Sequence, residues 1–145
     1  MQTQQEITFD ILKYQLTKDV VGSAFSSYNF YHAGMDELTY EAGLMTELID
    51  RGYDVRRQEE FPVYYKGRPT PVRRRMDLVI QHKQLGLVIL ELKALDYCGD
   101  PQRAQLRSYM KLMNGHIGML INFSPKGVYS ENWELSPDGE ECTRF

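Results

Sequence analysis

Cysteine is scarce in this chain of 145 residues: Cys98 and Cys142 stand alone, without the Cys-x-x-Cys spacing of a structural metal site. Two thiols make no disulfide framework, although they leave room for one bridge, and a reducing intracellular setting is expected. Long apolar runs are also missing. The segment Met1 to Ile7 has no basic stretch leading into an apolar core, and no uninterrupted run reaches the roughly 20 residues of a membrane-spanning helix. Neither secretion nor membrane insertion is expected. Positive charge is not in surplus either: 17 Lys and Arg against 20 Asp and Glu give a formal net charge of -3. Nucleic-acid binding by bulk phosphate neutralisation is therefore not advertised, and any anion-binding face must be local. His32, His82 and His116 show no metal-ligand spacing. The chain contains no P-loop, dinucleotide fingerprint, serine nucleophile elbow, repeat or low-complexity tract.

What is present fits one globular domain spanning 1–145, with 42% hydrophobic and 26% charged residues. Ile7, Ile11, Leu12 and Leu16 recur at helical spacing, and a small and aromatic stretch from Gly22 to Gly34 without clear period reads as a connection. Asp36 is a candidate N-cap for a second helix with the apolar stripe Leu38, Ala42, Met45, Leu48 and Ile49, ending before Gly52. Tyr53 to Tyr65 suggests one or two strand stretches with Pro62 at an edge or break, and Lys66-Gly67-Arg68-Pro69 supplies a turn. Val72–Gln81 and Leu85–Lys93 follow as strands, the second apolar on both faces as in the middle of a covered sheet. A third helix begins near Pro101, carries Leu106, Tyr109, Met110, Leu112 and Met113, and stops at Asn114-Gly115; Ile117 to Phe123 is a further buried strand. Ser124 to Phe145 reads as a loop or short strand on the surface of the core. A hairpin or three-stranded meander followed by a crossover helix predicts an α/β fold, a mixed central sheet flanked by helices.

Three ionisable groups interrupt the apolar strands: Asp77 at the start of Asp77-Leu78-Val79-Ile80, and Glu91 and Lys93 at the end of Leu87-Val88-Ile89-Leu90-Glu91-Leu92-Lys93. Charge in such a place is costly unless paired, hydrogen-bonded or bound to a metal. Alternation puts Glu91 and Lys93 on one side of their strand. If the register sets Asp77 beside them, two carboxylates and one ammonium converge, and a divalent cation relieves the repulsion between the acids. Hard oxygen ligands suit Mg²⁺ or Mn²⁺. A cation so held would polarise a phosphoryl oxygen and acidify a bound water, with the lysine orienting that water or steadying developing charge. The competing reading is a strand-end Asp77 and a rim ion pair between Glu91 and Lys93 or an arginine.

Asp77 followed by Glu91-x-Lys93 after an apolar strand resembles the signature of the PD-(D/E)XK nuclease superfamily, with Met76 in place of the proline of the name. Further segments are similar to the GxxExxY branch: Gly34-Met35-Asp36-Glu37-Leu38-Thr39-Tyr40, the stretch Leu48 to Gln58, Pro62 to Gly67, Glu91-Leu92-Lys93-Ala94 and Leu120-Ile121-Asn122-Phe123. They follow in order from Gly34 to Phe123, the expected core. The His-containing Gly-Pro-Gly lead-in of that branch is missing, and Ser26 to Ala33 stands in its place. The resemblance implies that Glu37 is a further acid of the active site, where the residues alone suggest a first-turn acid favoured by the helix dipole. It also implies a site role for Gln105 and Tyr109, which share a helix face at i, i+4; otherwise Tyr109 is a core aromatic and Gln105 polar surface.

Arg73 and Arg75, which alternation would set on the face of Asp77, are candidates to hold phosphates, or else balance nearby carboxylates at a solvated strand end. Arg103, Arg107 and Lys111 form a row on the third helix that reads as a solvated face. Tyr28, Phe30 and Tyr31 offer stacking surfaces for bases, with packing against the first helix the plainer reading. The expected function is therefore a Mg²⁺-dependent deoxyribonuclease, with Asp77, Glu91 and the Leu92 carbonyl as metal ligands. The alternative is a catalytically silent, nuclease-like module that binds nucleic acid or serves a structural role in a larger assembly. Nucleic acid is the expected partner, DNA before RNA, with homo-oligomers or larger assemblies also possible on this sequence.

Overall fold

Six segments between Val55 and Arg144 pair into one sheet, which the computed structural model, describing residues 1–145, arranges in simple chain order. The strands are β1 (Val55–Tyr65), β2 (Arg68–His82), β3 (Gly86–Lys93), β4 (Ile117–Ser124), β5 (Gly127–Leu135) and β6 (Cys142–Arg144). The helices are α1 (Gln4–Tyr31) and α2 (Glu37–Asp50), both before the sheet, and α3 (Asp100–Met113), which connects β3 to β4. Only β3 and β4 run parallel, as a crossover helix requires; every other neighbouring pair is antiparallel. The mixed, helix-flanked α/β sheet expected from the sequence is what forms.

Helices cover both faces. Leu78, Ile80, Val88, Leu90, Leu92, Met119 and Ile121 pack under α1 and α2, while Val79, Ile89 and Leu120 pack under α3. β3, buried on both sides, lies inside the sheet.

Three expectations are corrected. The stretch from Gly22 onward is no connection, because α1 continues unbroken to Tyr31. Its buried face is Lys13, Leu16, Thr17, Val20, Ser23, Ala24 and Ser27, largely small or polar residues with little hydrophobic signal, whereas Ile7 and Ile11 are exposed. On α2, capped by Asp36 accepting from the Thr39 N–H at 2.9 Å, the buried stripe is Tyr40, Glu41, Leu44 and Leu48, and Leu38 and Ile49 face outward. Finally, the C-terminal segment is two strands rather than a loop or a single short strand. β5 pairs with β4 along its whole length and buries Glu131, Trp133 and Leu135.

β1 and β2 outrun the sheet. β3 pairs with β2 only from Leu78 to His82, so Arg68 to Met76 pair with β1 alone. A two-residue turn closes this ribbon, with positive φ at both Lys66 (49°) and Gly67 (76°), the left-handed pair that matches strand twist. The ribbon bends at its root. Leu78 and Met76 share strand parity, yet Leu78 packs under α1 and α2 and Met76 under α3. The alternation expected to set Arg73 and Arg75 on the face of Asp77 is therefore interrupted between them. Both cysteines are free thiols, so no bridge forms.

Candidate active site

The β2–β3 ladder ends at the pair Leu78–Leu90, and one step further in the same register Asp77 stands opposite Glu91. There the strands part. β2 bends away with β1, and β3 continues beside β4 through Lys93. The Leu92 N–H, without a β2 carbonyl to receive it, donates to Asp77 Oδ2 at 2.9 Å. Asp77 thus fills the fork with its side chain and satisfies a backbone donor that would otherwise be orphaned. Glu91 is 3% exposed, and Lys93 Nζ lies 3.9 Å from Glu91 Oε2. Glu37, the first residue of α2, is partly buried.

Electrostatics tie these groups into one cluster. Burial pushes the Glu91 carboxyl up to about 8, the charges of Asp77 and Glu37 push the same way, and Lys93 opposes them. Burial raises Asp77 above the usual carboxylate range against the pull of the Leu92 N–H and Lys93. Glu37 is raised by burial and by Asp77, with Lys93 again opposing. One ammonium is too little charge for three acids, and a divalent cation would supply the deficit. Asp77 and Glu91 fit such a cation by donor chemistry, both being hard oxygen ligands. No trio of His, Cys, Asp or Glu side chains is placed to ligate a metal jointly; Glu37 acts on Asp77 and Glu91 through its charge.

Gln105 and Tyr109 share one face of α3, with Gln105 Nε2 donating to Tyr109 Oη at 3.3 Å. Gln105 is exposed and Tyr109 packs against the α3 core; neither is hydrogen-bonded to Asp77, Glu91 or Lys93. Arg73 and Arg75, both more than half exposed, straddle Glu60 of β1 at 3.8 and 3.4 Å.

The sequence model of the PD-(D/E)XK nuclease superfamily matches residues 14–134, most of the chain. The chain belongs to the PD-(D/E)XK nuclease superfamily. Among solved structures, the crystal structure of SSO0001 is similar in fold, with a TM-score of 0.50 and 18% identity over 63% of this chain. The chain spans about half of that structure, 47%. No curated protein matches.

Around the nuclease motif stand residues that sequence reasoning missed. Glu41, one turn after Glu37 and 1% exposed, receives Arg57 Nε at 3.1 Å and Gln58 Nε2 at 3.0 Å. Burial raises its carboxyl, those two donors oppose the shift, and Asp77 adds to it. Gln58 has φ of 51° and, with Arg57–Leu78 and Glu59–Met76 paired on either side, stands opposite Asp77. A non-glycine residue in that region is strained, and its bond to Glu41 helps hold the root of the ribbon in place. An acid within the stripe Tyr40, Leu44 and Leu48 was the available signal for Glu41.

Glu131 on β5 is a second such case. Burial pushes its carboxyl up, but Arg103, Tyr129 and Trp133 outweigh that and hold it at about 2. Arg103 clasps it through Nε at 2.9 and 2.8 Å and through Nη2 at 2.7 Å. The row Arg103, Arg107 and Lys111 is thus no simple solvated face, for Arg103 is pinned to β5 and Arg107 lies 5.2 Å over the Trp133 ring. Asn122, the register partner of Lys93, bonds both the N–H and the C=O of Leu95 at 2.9 Å. That clamp fixes the chain two residues beyond Lys93.

Proposed function

We propose that this chain is a metal-dependent deoxyribonuclease, hydrolysing phosphodiester bonds with Asp77, Glu91 and Lys93 at its centre. The observation that carries the reading is the fork between β2 and β3, where Asp77 stands opposite Glu91 and Lys93 reaches to within 3.9 Å of Glu91. The ordered motifs from Gly34 to Phe123 support the GxxExxY branch within the superfamily.

Asp77, Glu91 and the backbone carbonyl of Leu92 would hold Mg²⁺ or Mn²⁺, which when bound supplies Lewis acidity and an acidified water. The chain's own groups account for the rest. Lys93 donates hydrogen bonds to the attacking water or to a phosphoryl oxygen, where negative charge grows as the water oxygen bonds to phosphorus and the sugar oxygen departs. The Leu92 N–H fixes one oxygen of Asp77 and so orients the carboxylate. Glu37 adds negative potential that favours a cation and raises the basicity of its neighbours. Gln105 and Tyr109, on the neighbouring helix, support the site, and Arg73 and Arg75 would exchange Glu60 for flanking phosphates when DNA binds.

The purified chain incubated with linear, circular and branched DNA plus Mg²⁺ should release cleaved products, and EDTA should stop the reaction. Lys93→Ala should lower the rate by at least about 100-fold at unchanged fold. Full activity in that variant would overturn the assignment. Cation binding without cleavage of any substrate would favour the silent binding module instead.

A further inference from the structure

Of seven Lys and Arg side chains in the β1–β2 ribbon, four are tied to acids and three are not. Arg57 is held by Glu41, Arg56 by Asp54 and Glu59, and Arg73 and Arg75 by Glu60. Lys66, Arg68 and Arg74 form no ion pair and are exposed. Within Val55 to Met76 seven cations face two acids, Glu59 and Glu60, in a chain whose net charge is -3. The cationic excess is concentrated on one element.

That element has the form of a groove reader. From Arg68 to Met76 its second strand has only β1 for a neighbour, which makes about 30 Å of two-stranded ribbon at the usual rise per residue. One side is anchored, since Phe61 and Met76 pack into the α3 core. The tip is open: Tyr64 and Tyr65 are 55% and 65% exposed, flanking the turn that carries Lys66. Lys66 Nζ lies 5.4 Å over the Tyr65 ring, and neither tyrosine packs into a core cluster, so the tip offers exposed aromatic and cationic surface together.

We infer that this ribbon is the duplex-DNA grip of the enzyme, entering the major groove with its tip while Lys66, Arg68 and Arg74 contact backbone phosphates. The inference rests on the nuclease reading for its meaning and adds the form of the substrate. A two-stranded ribbon fits the wide major groove of B-form DNA, whereas the deep, narrow major groove of A-form RNA does not admit it. The root of the ribbon is the Asp77 fork. Docking the tip therefore leads the backbone toward the carboxylates, and Glu41, bonded to Arg57 and Gln58, fixes the angle between grip and site.

The test is binding of the full chain to a 20-base-pair DNA duplex in EDTA, across a salt series, with the variant K66A/R68A/R74A beside the wild type. All three side chains are exposed and outside every ion pair, so the variant should fold, as circular dichroism will verify. It should bind roughly 10- to 100-fold more weakly at 0.1 M salt, with a log–log salt slope shallower by roughly 2 to 3. Its Mn²⁺-dependent hydrolysis of bis(p-nitrophenyl) phosphate, too small to reach the ribbon, should equal that of the wild type. Unchanged duplex affinity and slope would overturn the grip, as would equal or tighter binding of the RNA duplex of the same sequence. Failure of the nuclease reading looks different: no hydrolysis of the small phosphodiester by any form, with duplex binding still dependent on the three cations.

Discussion

At the scale of single residues, a carboxyl 3% exposed beside two other acids cannot hold its charge without help, and Glu91 is raised from an ordinary value of 4.5 to about 8. The folded state therefore keeps a proton that the unfolded chain releases at lower pH. The stability this contributes is fully present below 4.5 and is lost as pH rises through about 8. In cation-free buffer the urea midpoint should fall across that window, and Glu91→Gln should flatten the decline; a variant as pH-sensitive as the wild type would count against it. Asp77 has a separable structural duty. Asp77→Ala should remove activity and also cost about 1–3 kcal/mol, because the Leu92 N–H loses its acceptor. Asp77→Asn keeps an acceptor oxygen and should recover most of that stability in denaturant titration while staying inactive. Glu131→Ala, which takes from Arg103, Tyr129 and Trp133 their shared acceptor and leaves Arg103 only Asp100, should cost about 2–3 kcal/mol by the same measurement.

Among elements, α1 and α2 approach closely because their contact is made of small residues. A Cβ added at Gly43 would lie 2.2 Å from Ser27 Oγ and 2.8 Å from Ser27 Cβ. The Ser27 hydroxyl also donates to the Tyr40 carbonyl at 2.9 Å, joining the helices just beyond the loop that positions Glu37. Gly43→Ala should destabilise by about 1–3 kcal/mol despite its gain in helix propensity, and adding Ser27→Gly should return part of the loss in thermal unfolding. This contact also explains why α1 was legible only to Leu16. Its later turns bury Ser23, Ala24 and Ser27, which carry the helical period in size rather than in hydrophobicity. On α2 the cap at Asp36 and the stop at Gly52, with φ of 93°, were readable, but the rotation of the helix was not, because Leu38 and Ile49 compete with Leu44 and Leu48 as apolar residues.

For the whole molecule, the carboxylate cluster is raised in pKa as a group, so occupying it should link cation, proton and fold. Mn²⁺ in excess should raise the unfolding free energy by about 2–3 kcal/mol at 100 times its dissociation constant, with protons released on binding because Glu91 must ionise. Calorimetry in two buffers of different ionisation enthalpy measures both. An Asp77→Ala/Glu91→Gln chain should show neither effect. No helix is long and apolar enough to cross a membrane.

By itself the sequence determined the kinds and order of most elements, the parallel return through α3, and the odd placement of Asp77, Glu91 and Lys93 in apolar strands. These are local matters, set by hydrophobic period, capping residues and alternation, and the tertiary fold only had to agree with them. Tertiary structure alone decided that Asp77 stands at the fork opposite Glu91, that Glu41 and Glu131 are buried acids with partners 16 and 28 residues away, and that β5 is a full strand. Register and burial arise from contacts between segments distant in the chain. A period read along one segment cannot report what the facing segment brings to meet it.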